Sequence, residues 1–228
     1  MRMENTLRTL GAFPSFPETV ICLEKSQPRV PIAEAMEAGP AHRAFIDHLP
    51  RDWREDREVE IFSRMLYLKR GWYPLHPHFH FDWYAGQDGP IVETLMVLLG
   101  SGSRTEFVLG PYDLPDGPAP SVSGASRGPG ETPREWPKLI EEGVRSGDLK
   151  TWFAEPDQLI LFDNRTFHRA TAATHAGWRV LIRAIRGRPR GSAQQDHRAP
   201  FTTARNGYIP ETPAEIAAYE PYRNSEAP

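Results

Sequence analysis

Cysteine is almost missing from this chain: Cys22 is the single one among 228 residues. An intrachain disulfide is therefore excluded, and so is a zinc site built on thiolates. Any metal must be held by imidazole and carboxylate. Long hydrophobic runs are also lacking, and none is long enough to span a bilayer. Met1 to Phe13 lacks the basic stretch and apolar run of a secretory signal, so the expectation is a cytoplasmic protein without a membrane partner. Neither sign of charge dominates. Lys and Arg number 27 against 30 Asp and Glu, a formal net charge of −3, so no global field attracts nucleic acid and none is expected as a partner. Internal repeats, heptads, a nucleophile elbow, a Walker loop and a dinucleotide fingerprint are all absent. The sequence says nothing about oligomeric state.

Breakers are abundant. With 23 prolines and 18 glycines, a helical bundle is disfavoured and short strands joined by many turns are expected. Hydrophobic residues at 39% suffice for a sizeable core, and the length suits one domain over 1–228 with its core at about 60–185. The first fifty-odd residues read as an irregular extension with one short helix around Ala41 to His48. Strands are expected at Ile61 to Leu68, Gln158 to Phe162 and Arg179 to Ile185. Ile91 to Leu99 and Thr105 to Leu109, with a glycine turn between them, read as a β-hairpin. Trp136, Leu139, Ile140 and Val144 have helical spacing, which predicts an amphipathic helix over Pro133 to Val144 packed on the sheet. Pro213 to Tyr219 reads as a C-terminal helix. The aperiodic stretch Gly110 to Gly130 is either a lid or disordered. Together these elements predict an all-β barrel or sandwich with flanking helices.

The chemistry concentrates in His76-Pro77-His78-Phe79-His80-Phe81-Asp82. On a strand, His76, His78, His80 and Asp82 would share one face and Phe79 and Phe81 the other. Two imidazoles and a carboxylate on one face of an ion, with the opposite face open, suit iron(II) and oxygen chemistry. His80-x-Asp82 can supply two such ligands, and a third must come from a distant strand. His168, at the end of an apolar strand and a polar turn, is the candidate. Arg179 opens the next apolar strand, where a buried guanidinium calls for an anionic partner. Arg183 shares its face and reads as a solvated strand-end charge, with contact to a substrate the alternative. The group Arg183, Arg186, Arg188, Arg190 and Arg198 is too weak a signal for a nucleic-acid patch. Trp72, Tyr73, Trp83 and Tyr84 flank the histidines as core aromatics or pocket walls.

His80, Asp82, His168 and Arg179, in that order and spacing, resemble the iron(II)/2-oxoglutarate-dependent dioxygenase superfamily, and within it the phytanoyl-CoA hydroxylase-like branch. The resemblance covers about residues 60–185. Leu181 departs from it, standing where a Ser often follows the Arg. The resemblance implies a double-stranded β-helix (jelly roll, cupin-like). It also implies Fe(II) held by His80, Asp82 and His168, and 2-oxoglutarate as a co-substrate whose far carboxylate Arg179 grips. O2 and a small-molecule substrate would complete the reaction, with hydroxylation the default outcome. Two alternatives stand beside it. One is a cupin-type metalloenzyme using His78, His80 and His168 without 2-oxoglutarate; the other is a non-catalytic jelly-roll binding module.

Overall fold

The computed structural model describes residues 2–74, 77–82, 89–100, 102–115 and 135–187. The expected C-terminal helix, most of the expected lid, and His76, Trp83, Tyr84, Arg188, Arg190 and Arg198 lie outside the described residues. The N-terminal part holds β1 (Arg2–Met3), β2 (Leu7–Ala12), α1 (Glu18–Ile21), β3 (Gln27–Pro31), α2 (Ile32–Ala35), α3 (Pro40–His48) and α4 (Arg51–Glu55). The middle contributes β4 (Glu60–Leu68), β5 (Glu93–Gly100), β6 (Thr105–Val108), β7 (Tyr112–Asp113) and α5 (Glu135–Ser146). β8 (Thr151–Ala154), β9 (Gln158–Asp163), β10 (His168–Ala170) and β11 (Gly177–Arg186) follow. The described chain is mostly antiparallel β-sheet with few helices. A six-stranded sheet runs β2-β9-β5-β11-β4-β3, a three-stranded sheet runs β10-β6-β8, and β1 pairs with β7.

Alternation within β11 explains why both faces of the large sheet are covered. Val180, Ile182 and Ala184 are fully buried on one face, in a cluster with Leu95, Val97 and Leu99 of β5 and Phe45 and Trp53 of α3 and α4. The helices thus cap this face, and each large side chain sealed there contributes about 1.5–3 kcal/mol. Arg179, Leu181 and Arg183 point the other way. On that face Met96, Leu98, Ile160 and Phe162 pack against Phe107 and Ala154 of the small sheet. The site lies in this space between the sheets.

Three expectations are corrected. The N-terminal fifty residues are not an irregular extension: β2 pairs with β9 and β3 with β4, so they supply both edges of the large sheet. Proline-bearing Gln27–Pro31 and the bulge at Thr9/Gly11 carry no alternating pattern, which suits edge strands and hides them in the sequence. β5 and β6 do not form a hairpin, because they belong to different sheets. Gly100, at φ +86°, lies so close to the Trp178 carbonyl of β11 that a Cβ would collide with it. Glycine there lets β5 end against β11 and the chain cross to the small sheet. Finally, α5 packs as expected on strand residues, Trp136 and Ile140 clustering with Val108 of β6, but Leu139 is exposed and does not belong to its buried side. Its buried side packs on Phe79, Phe81 and Phe167, so it backs the histidine segment.

A buried polar network ties the N-terminal segment to β4. His42 Nδ1 donates to Glu24 Oε2 at 2.5 Å, and His42 Nε2 lies 2.7 Å from Ser63 Oγ. Glu24 Oε1 accepts the Ala41 amide at 2.8 Å, and Ser63 Oγ accepts that of Gln27 at 2.9 Å. Ser, His and Glu in this order have the composition of a nucleophilic triad. All three are at most 2% exposed, on the helix-covered face, where no substrate reaches. The network is structural: it satisfies buried polar groups and sets the register of β3 on β4.

Candidate metal centre

His168 is placed by the turn that precedes it. Asp163 Oδ1 accepts the Arg165 amide at 3.0 Å and the Thr166 hydroxyl at 2.9 Å, and Oδ2 accepts the Thr6 amide at 2.8 Å. Asn164 bridges to the start of β5, accepting the Val92 amide at 3.2 Å and donating to the Pro90 carbonyl at 3.1 Å. The Tyr112 hydroxyl donates to the Arg165 carbonyl and accepts the Phe167 amide. Short polar side chains bonding their own turn leave it little freedom. In β10, His168 then faces inward against Phe107 and Phe162, with ring centroids at 5.7 and 5.2 Å. Arg169, on the other side, holds Glu106 at 2.6 Å and Glu141 of α5 at 2.8 Å. Its guanidinium also lies 4.2 Å from the Phe79 ring centroid.

His80 reaches the same place differently from the sequence expectation. Residues 77–82 do not form a strand. A single antiparallel bridge joins His80 to His168 through two amide–carbonyl bonds of 3.0 Å. Phe79 and Phe81 anchor the segment from behind, with Phe81 stacked on Phe167 at 3.7 Å. Among the described residues the pairing of this segment with β10 is confined to that bridge. His78 is exposed, and its carbonyl accepts from His80 Nδ1 at 2.9 Å.

The result is a compact donor set. His80, Asp82 and His168 each offer one ligand atom, all within 4.8 Å of one another. His168 Nε2 lies 3.3 Å from Asp82 Oδ2, and His80 Nε2 lies 4.0 Å from Oδ1. Both imidazoles turn Nδ1 toward a backbone carbonyl, that of His78 and, at 3.0 Å, that of Thr166. A carbonyl only accepts, so Nδ1 must carry the proton and the neutral ring keeps its lone pair on Nε2. This is how metal-binding histidines are oriented. A partly buried His-Asp-His group of this kind, with His168 its buried member, can hold a metal ion, and His78 does not belong to it.

Arg183 is not a solvated strand-end charge. Its Nη1 donates to Asp82 Oδ2, and its guanidinium lies 4.9 Å from the Phe62 ring centroid. Burial works to raise the Asp82 carboxyl, but Arg183, and then His168 and His80, outweigh it and hold it well below the usual carboxylate range. Asp82 therefore stays ionised in moderate acid. Its negative charge is therefore expected to remain available to a bound ion in moderate acid. An infrared titration against Asp82→Asn checks this; a protonated-carboxyl band that appears in moderate acid and is missing from the variant would show that Asp82 gives up its charge there.

Arg179 enters the same inter-sheet space from the start of β11. It is 3% exposed, and its Nε has no hydrogen-bond partner. Burial first, then repulsion from Arg64 and Arg183, pushes its guanidinium down to about 9. Arg64 of β4 was missed in the sequence. It stands between Phe62 and Leu66 on one strand face, the same signal that exposed Arg179: a cation within an apolar row. Arg186 faces elsewhere, bonding Asp52 at 2.6 Å and Glu93 at 2.7 Å. Trp72 and Tyr73 are packed in small clusters with Ala173 and Ala172. Among the described residues, no helix is long and apolar enough to cross a membrane.

No family model matches this chain, and no curated protein matches it. Among solved structures it is similar to AviO1 from Streptomyces viridochromogenes Tue57, at 16% identity and a TM-score of 0.40, over 71% of this chain and 67% of that one.

Proposed function

We propose that this protein is a non-haem iron(II), 2-oxoglutarate-dependent oxygenase acting on a small molecule, and that its two facing sheets are the halves of a double-stranded β-helix. The observation that carries the reading is one juxtaposition. A His-Asp-His donor set and a buried arginine whose Nε has no hydrogen-bond partner share the space between the sheets. Each half calls for the other: the donor set fits a divalent ion with an open face, and Arg179 needs an anion to offset its burial. A dicarboxylate with one end on the ion and the other on Arg179 meets both demands. His80, Asp82 and His168 would hold Fe(II), and Arg179 would grip the far carboxylate of 2-oxoglutarate with its planar fork. When bound, the iron and 2-oxoglutarate supply the oxygen chemistry, in which 2-oxoglutarate and O2 become succinate and CO2 and the substrate is oxidised.

The chain's own residues do the rest. The carbonyls of His78 and Thr166 keep both Nε2 lone pairs aimed at one point. Arg183 occupies one Asp82 oxygen, which favours binding through the other. Phe107 and Phe162 close the wall behind His168 and keep water from that side. The exposed position of His78 leaves the cupin-type alternative without its third imidazole.

The test is an anaerobic titration of 2-oxoglutarate into the Fe(II)-loaded protein, followed by the visible metal-to-ligand charge-transfer band. The band is expected in the native chain and lost in His80→Ala. Iron binding without a band at any concentration overturns the co-substrate. Failure to bind iron leaves the binding-module reading.

A further inference from the structure

Arg64, Arg179 and Arg183 form a band across neighbouring strands. In the β4–β11 ladder, Arg179 faces Leu66, Leu181 faces Arg64, and Arg183 faces Phe62. Arg64 therefore lies diagonally between the other two, within reach of long side chains. Of four buried side-chain polar atoms without a partner among the described residues, three are the Nε atoms of these arginines. The charges bearing on Arg179 are Arg64 and Arg183, and the charge bearing on Arg64 is Arg183, all of like sign.

The charges do not balance with one dicarboxylate. Arg183 is satisfied at Nη1 by Asp82. A co-substrate on Arg179 would give that cation a partner, yet the ion, Asp82, the three guanidiniums and one dicarboxylate together still leave a net positive charge of two. Arg64 is left over: it is half-buried among like charges, with a buried Nε that has no partner, and an anion arriving beside it would offset that cost. Neither the four-residue pattern nor the donor set accounts for it.

We propose that the prime substrate carries an anionic oxygen group, a carboxylate or a phosphate, which Arg64 binds beside the metal centre. This deepens the oxygenase reading and rests on it for the co-substrate on Arg179. Arg64 is a binding residue here: it selects anionic small molecules and orients them along the β4 side of the site. The competing arrangement is one dianion shared by Arg64 and Arg179.

The two are separated by melting curves at fixed ionic strength on the Fe(II) protein saturated with 2-oxoglutarate under anaerobic conditions, with sulfate standing in for phosphate and acetate for carboxylate. One of the two anions is expected to raise Tm further, and which one does so names the group. In Arg64→Met its apparent affinity is expected to fall about tenfold to a hundredfold, the loss of one or two charge-assisted hydrogen bonds. The 2-oxoglutarate affinity, read from the visible band, is expected to change less than about threefold, as for a group outside its contacts. Competition between the added anion and 2-oxoglutarate, or loss of 2-oxoglutarate binding in Arg64→Met, overturns the proposal in favour of the shared dianion. So does the absence of any Arg64-dependent anion binding. If no band forms, the same curves are recorded on the metal-free protein. Arg64-dependent anion binding there means that the anion site stands and the co-substrate reading falls.

Discussion

Arg179→Met is expected to make the ligand-free protein more stable while abolishing 2-oxoglutarate binding. Arg179 is buried, its Nε is unpartnered, and its charged neighbours are of its own sign. A cation whose folded pKa of about 9 lies below its ordinary value penalises the folded state at every pH below about 9. The penalty fades as pH rises above about 9, where the folded state releases a proton that the unfolded chain retains. At neutral pH the full cost is present. Methionine keeps the aliphatic stem and removes the charge, so the gain should be about 1–4 kcal/mol, the range seen when buried charges are replaced by apolar groups. Urea unfolding of the apo protein measures it, and the charge-transfer titration measures the lost co-substrate. A variant less stable than the native chain would show that Arg179 has a partner in the fold and is not held in reserve for a ligand.

Glu24→Ala is expected to cost about 3–5 kcal/mol, a large part of a domain's total stability. The carboxylate accepts both the His42 ring and the Ala41 amide, and none of these groups can reach water. Removing it orphans a buried imidazole and a helix-start amide together, and the loss propagates through Ser63 to the pairing of β3 with β4. A double-mutant cycle with Ser63→Ala measures the coupling through His42. Additive effects would mean that the network is three separate contacts. Gly39→Ala probes the same place sterically, since an added Cβ would meet the Glu24 carboxylate. Iron binding is the control. The network lies on the opposite face of the large sheet from Asp82, so variants that remain folded are expected to keep their affinity.

Much of this was open to reading in the chain. A single cysteine and three histidines within five residues restricted the metal donors to imidazole and carboxylate. Continuous apolar runs at β5, β9 and β11 declared themselves as strands because both of their faces are covered. His80, Asp82 and His168 were legible from residue type and order, and Arg179 from its place in an apolar strand. Other features were decided by the tertiary structure. Strands β2 and β3 carry prolines, a glycine and mixed polarity, so only the edges of a finished sheet make them strands. Residues 77–82 look like an alternating strand, yet one bridge and two buried phenylalanines, not a ladder, bring His80 to His168. Whether Arg183 meets water or Asp82, and whether Arg64 joins Arg179, depends on strand register. Register is a pairing between distant segments, and a one-residue slip would turn every one of these side chains to the opposite face. Local sequence sets what each residue can do chemically; the partner strand decides which groups meet.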